Sequence, residues 1–182
     1  VENKSWAKHW IDHFSLSHYE QEDTNPAPDA DPVTLIRRLH FDLTGLPPTQ
    51  QEVTNFATNP SPRAYASLID DLLASPHFGE RMTAYWLDLV RYADTVGYHG
   101  DQPHNISPYR DWVINAFNQN MPFDQFTREQ LAGDLLPGST TQQKVASGYN
   151  RLLQTTHEGG LQIKEYDAIY AADRVRNVSE VW

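Results

Sequence analysis

The chain has 182 residues, a formal net charge of −10 and no cysteine; 39% of it is hydrophobic and 12% aromatic, including five Trp. A chain of this length can bury about 70% of its unfolded surface, so a sizeable core is available. The charge argues against a nucleic-acid partner, which requires clustered Lys and Arg. Zero cysteine excludes disulfides, thiolate catalysis, Cys-ligated metal and covalent haem attachment within the chain. No stretch approaches the roughly 20 apolar residues of a transmembrane helix.

Residues 1–30 read as an N-terminal helix and linker. Trp6, Trp10, Phe14 and Tyr19 make the first 20 residues aromatic, a helix is expected from Ile11 to Tyr19, and Pro26 and Pro28 mark the polar stretch after it as linker. His9 and His13, four apart, would share one face, either as a metal pair or as surface histidines. A helical domain is expected over 31–182, continuing beyond the end of this chain. Asp31-Pro32 is an N-cap and a first-turn proline. Leu35, Ile36, Leu39 and Leu43 form the stripe of that helix, and Gly45 with Pro47-Pro48 stops it. Thr49 and Glu52 form a capping box for a short helix carrying Val53 and Phe56. Ser61-Pro62 opens the next helix, with Tyr65, Leu68, Ile69, Leu72 and Leu73 as its stripe, and Ser75-Pro76 closes it.

The centre of the chain is 77–137. Met82, Tyr85, Trp86, Leu89, Val90 and Ala93 recur at helical spacing, with Asp88 and Arg91 close enough to pair. A polar loop over 97–105 comes next, and Ser107-Pro108 is expected to cap a helix bearing Tyr109, Trp112, Val113, Ala116 and Phe117. Met121-Pro122 begins a further helix, which Gly133 or Pro137 ends. Thr141 starts a short one, and 150–164 reads as loop. From Glu165 the pattern is helical again through Tyr166, Ile169, Tyr170, Val175, Val178 and Trp182. With no alternating run long enough for a strand, the expected fold is all-α: about eight short helices in one orthogonal or irregular bundle, with little or no sheet. A last helix finishing on Trp182 with no C-terminal cap suggests a fragment of a longer protein, its indole resting on the core or on a segment absent here.

Several segments resemble one known family: 35–48 (LIRRLHFDLTGLPP), 77–81 (HFGER), 86–94 (WLDLVRYAD), 109–113 (YRDWV), 120–126 (NMPFDQF), 129–137 (EQLAGDLLP), 158–160 (EGG) and 173–175 (DRV). This looks like the planctomycete cytochrome-c-associated domain of unknown function. The likeness covers nearly everything from Ile11 to Trp182. It implies export, to the periplasm or beyond, and a place beside a cytochrome c module in a longer protein. Haem c would then belong to the full-length protein, its attachment motif coming shortly after the segment matching Asp173 to Trp182.

Two clusters carry candidate chemistry. His99, Asp101 and His104 supply two imidazoles and a carboxylate within six residues, a set suited to zinc or to an axial position of a haem, although a solvated loop uses the same residues. His157 and Glu158, before two glycines, could place an acid or base at a mouth, with Asp94, Asp101 or Asp173 as second carboxylate for glycosidase-like chemistry; a capped glycine turn is the plainer reading. Asp173 needs a cationic partner, for which Arg110, Arg151 or Arg174 are candidates; Arg110-Asp111 and Arg37-Arg38 read as sources of inter-helix ion pairs. Two functions stay open. The preferred one is a non-catalytic helical module that packs against or positions a haem domain. The other is an enzyme domain, a hydrolase or redox enzyme acting on carbohydrate, whose site the 97–105 and 157–160 loops would form around His99, Asp101, His104 and Glu158. The loops are expected to meet in either case.

Overall fold

A computed structural model describes residues 6–98, 101–156, 159–160 and 162–182. Among these the architecture is all-α: α1 (Trp10–Gln21), α2 (Pro32–Leu43), α3 (Gln50–Thr58), α4 (Pro62–Leu73), α5 (Pro76–Leu89), α6 (Ser107–Asn118), α7 (Phe123–Ala132), α8 (Thr141–Ala146) and α9 (Ile163–Val181). Two 3-10 turns, Gly133–Leu135 and Ser147–Arg151, link the later helices. The sole extended pairings among the described residues are two isolated bridges, Thr95 with Pro103 and Gly97 with Thr155.

Helix starts obey the local chemistry. Asp31 Oδ1 accepts from the Val33 and Thr34 amides, both at 3.0 Å. Thr49 and Glu52 close a reciprocal box, and Ser61 and Ser75 cap the proline-opened α4 and α5. His9 belongs with these caps: its Nδ1 accepts from the Ile11 amide while Asp12 accepts from the His9 amide, so it opens α1. Ser107 departs from expectation. Ile106 occupies the N-cap of α6 without a side-chain bond, and the Ser107 hydroxyl donates to Asn105 Oδ1 at 3.0 Å.

The core gathers where α5 and α6 pack and α7, α8 and the 147–151 turn close over them. Val90, Ile106, Tyr109, Trp112, Val113, Ala116, Phe126, Ala146, Tyr149 and Leu152 are buried together. Gly79 permits the approach of α5 to α6, since a Cβ there would stand 2.5 Å from the Asn118 side chain and from the Ile114 carbonyl oxygen. The Gly79 amide donates to Asn118 Oδ1 at 2.8 Å. Inside the core Gln130 is 0% exposed, and its Oε1 accepts from the Tyr109 hydroxyl at 2.6 Å and from the Trp86 indole at 3.1 Å. Burial pushes the Tyr109 phenol far above its ordinary range.

Not every apolar stripe faces inward. Tyr85 and Leu89 on α5 are exposed, and Tyr85 lies under the Arg81 guanidinium, 4.5 Å from it. On α9, Ile169 and Val175 are also exposed. That helix turns a polar residue inward: Asn177 is buried, accepts from the Tyr149 hydroxyl at 2.5 Å and donates to the Val90 carbonyl at 3.3 Å. Beside it Trp182 rests on the core, its ring 5.2 Å from that of Trp86, 5.9 Å from Phe123 and 6.0 Å from Tyr149.

Candidate functional site

Helix α5 ends in a turn that normally takes glycine. Val90 is the C-cap, the Arg91 amide donates to the Asp88 carbonyl, and the Tyr92 amide donates to the Leu87 carbonyl. This is the six-to-one pattern whose residue after the cap must be left-handed. Arg91 holds that place with φ 61°. A non-glycine side chain is strained there by about 1–2 kcal/mol, and such strain concentrates at functional sites. The turn carries the guanidinium away from Asp88 and onto Asp173 of α9, with two hydrogen bonds of 3.1 Å. The expected pairs of Arg91 with Asp88, and of Asp173 with Arg110, Arg151 or Arg174, are thus replaced by one pair spanning 82 residues. Arg110 binds its neighbour Asp111 at 2.9 Å within α6, so that pair does not join two helices. Arg37 stands over the Phe41 ring, 5.5 Å from its centroid.

Beyond Arg91 the chain folds back as a pinched hairpin. The His104 amide donates to the Asp94 carbonyl at 2.7 Å and the Val96 amide to the Gln102 carbonyl at 3.1 Å. Gly97 and Asp101, at φ 81° and 44°, make the bend, and Asp101 Oδ1 accepts the Gly97 amide at 2.8 Å. The outer arm then meets the segment before α9: the Thr155 amide donates to the Val96 carbonyl at 2.9 Å, and the Thr156 amide to the Tyr170 hydroxyl at 2.9 Å. The hairpin is thus joined to Thr155, two residues short of the 157–160 loop, and Thr156 is tied to α9.

Between them lies a cavity of about 300 Å³. Arg91, Arg151, Arg176, His104 and Asp173 line it, with residues 95–97 and 152–154. At His104 and Arg151 it adjoins a second basin of about 570 Å³, which Lys144, Arg174 and Asp134 also line. This gathering of guanidiniums has no counterpart in a local reading, because its members lie at 91, 151 and 176 and meet only through the fold. The one short-range sign is the spacing of Asp173 and Arg176, three apart on α9.

Of the expected site residues, Asp101 closes the hairpin bend and His104 lines the cavity, whereas His99, His157 and Glu158 lie outside the described residues. Among the described residues no group of three His, Cys, Asp or Glu is placed to hold a metal ion. The three carboxylates that could have seconded Glu158 each have a fixed partner. Asp94 Oδ1 accepts from the Tyr92 hydroxyl at 2.7 Å, Asp101 from the Gly97 amide, and Asp173 from Arg91. Burial, assisted by Asp94, pushes the Tyr92 phenol up to about 12, so it stays a proton donor to Asp94 at any physiological pH.

The model of the PSCyt2 family, described as a protein of unknown function (DUF1549), matches residues 10–182. The chain belongs to that family. The matched span takes in every helix from α1 to α9 and the whole lining of the arginine cavity. No curated protein and no solved structure matches the chain.

Proposed function

We propose that this family member is a non-catalytic helical module of an exported, cytochrome-c-associated protein, where it packs against or positions a haem-bearing domain. One observation carries the reading: Asp94, Asp101 and Asp173, the carboxylates expected to second Glu158, are all engaged as acceptors by fixed donors. A carboxylate nucleophile or general acid has to turn an oxygen to its substrate; Asp173 is held through both oxygens, and Asp94 and Asp101 through Oδ1. With no cysteine, this chain holds no covalent haem c, and the haem would sit on a companion domain. The resemblance to a cytochrome-associated domain supports that placement, and no helix among the described residues is long and apolar enough to cross a membrane.

The enzyme reading draws on a different observation, the polar cavity beside the hairpin. A hydrolase or redox enzyme for carbohydrate would draw on His99, Asp101, His104 and Glu158, of which His104 lines that cavity, Asp101 closes the hairpin bend, and His99 and Glu158 lie outside the described residues. The deciding experiment is mass and visible absorption spectroscopy of the full-length protein, with glycoside turnover measured on it and on Glu158→Gln. Haem on the companion domain and no turnover is the expected result. Turnover abolished by Glu158→Gln would overturn it.

A further inference from the structure

We infer that the cavity between the end of α5, the hairpin and α9 is a binding site for a small dianionic oxyanion of the sulfate or phosphate type, with Arg151 and Arg176 as its principal holding groups. Among the described residues, three guanidiniums line it against one carboxylate, in a chain whose formal charge is −10. Asp173 is committed to Arg91 through both oxygens, and neither Arg151 nor Arg176 has an ion pair among the described residues. Like charges drawn together repel unless a counter-charge joins them. Two uncompensated guanidiniums match a ligand with two negative charges. The planar fork of arginine donors suits the oxygens of such a group.

Size and long-range charge narrow the class. At roughly 30 Å³ per water, a space of about 300 Å³ holds about ten waters, enough for a tetrahedral oxyanion and part of its substituent. An acidic protein repels an extended polyanion, so the ligand is a small molecule or a single ester group. The strained turn at Arg91 has a purpose in this arrangement, since glycine would relax the backbone but remove the third guanidinium. The inference goes beyond the docking reading and stands independently of it.

The test is a heteronuclear NMR titration of the chain alone, with sodium sulfate, and with inorganic phosphate at pH 8, against sodium acetate and sodium chloride at matched ionic strength. Saturable shifts are expected at Gly97, Gln154 and Arg176 with the two dianions, and at least tenfold weaker binding of acetate. Arg151→Ala and Arg176→Ala should each weaken sulfate binding about tenfold, Arg176→Lys should lose less, and Arg110→Ala should leave it unchanged. The spectrum of each free variant verifies its fold, and Arg151→Gln serves where alanine disturbs the turn. Equal shifts with chloride and acetate, or sulfate affinities within twofold of wild type in folded Arg151 and Arg176 variants, would overturn the proposal. Since no cytochrome or saccharide is present, neither result bears on docking or catalysis.

Discussion

Arg91 and Asp173 are joined by two parallel hydrogen bonds of 3.1 Å, one from each terminal nitrogen of the guanidinium to each carboxylate oxygen. Their side chains are 40% and 22% exposed, which places the pair among screened, modest ones. Asp173→Asn should therefore cost only about 0.5–1 kcal/mol of stability by chemical denaturation. It should also strengthen sulfate binding, because the carboxylate that lines the cavity among the described residues has lost its charge.

The left-handed turn at Arg91 makes a sharper test. Arg91→Gly relieves about 1 kcal/mol of backbone strain and forfeits a pair of similar size. Its stability should stay within about 1 kcal/mol of wild type, while oxyanion affinity falls. A variant much less stable than wild type would mean that the arginine is held for structure.

Gly79→Ala tests the contact between α5 and α6. The added methyl would stand 2.5 Å from both Asn118 and the Ile114 carbonyl oxygen, against backbone that cannot move freely. Overpacking of this kind costs about 1–3 kcal/mol, more than the roughly 1 kcal/mol of helix propensity that alanine adds. A lowered Tm is expected, and an unchanged or raised one would contradict the packing described.

Gln130→Leu removes the acceptor shared by the Tyr109 hydroxyl and the Trp86 indole. The indole keeps the Tyr109 oxygen, 3.0 Å away, but the buried hydroxyl proton is left without a partner. The expected loss is about 1–3 kcal/mol, with a change in near-ultraviolet circular dichroism from the aromatic core.

His40 sets a pH dependence. It is buried, and burial holds its pKa below the ordinary 6.5, opposed in part by the charge of Glu52. The unfolded chain thus binds the proton more readily, and stability should fall as pH drops from about 6.5 toward the folded value. Glu52 is itself held below 4.5, first by the Thr49 hydroxyl, and its contribution is lost at lower pH, as the medium passes down through its folded pKa. Denaturation midpoints from pH 8 to 5 should show the His40 slope, and His40→Gln should flatten it.

Whatever a few neighbouring residues decide could be read from the sequence. Asp31-Pro32, Thr49 with Glu52, and Ser61-Pro62 each start a helix because cap and amide lie within three residues of each other, whereas Ser75-Pro76, expected to close one helix, caps the next. Ser107 misled because Asn105, two residues back, takes its hydroxyl. On α9 the apolar spacing pointed to Val175, whereas the inward position belongs to Asn177, whose partners Tyr149 and Val90 are remote in sequence. The candidate site suffered most from this distance. Asp101 and His104 could be singled out as a local cluster, but the partner of Asp173 depends on a reversal at Arg91 that no propensity favours.

Four of the five indoles divide into two optical populations. Trp112 is buried, and Trp86 and Trp182 are packed ring to ring in the core, whereas Trp10 is 65% exposed on α1. Excited in the native state, the first group should emit to the blue of the second and quench within itself. Melting of the α5–α9 core can thus be monitored by emission wavelength separately from fraying of the N-terminal helix, with no label introduced.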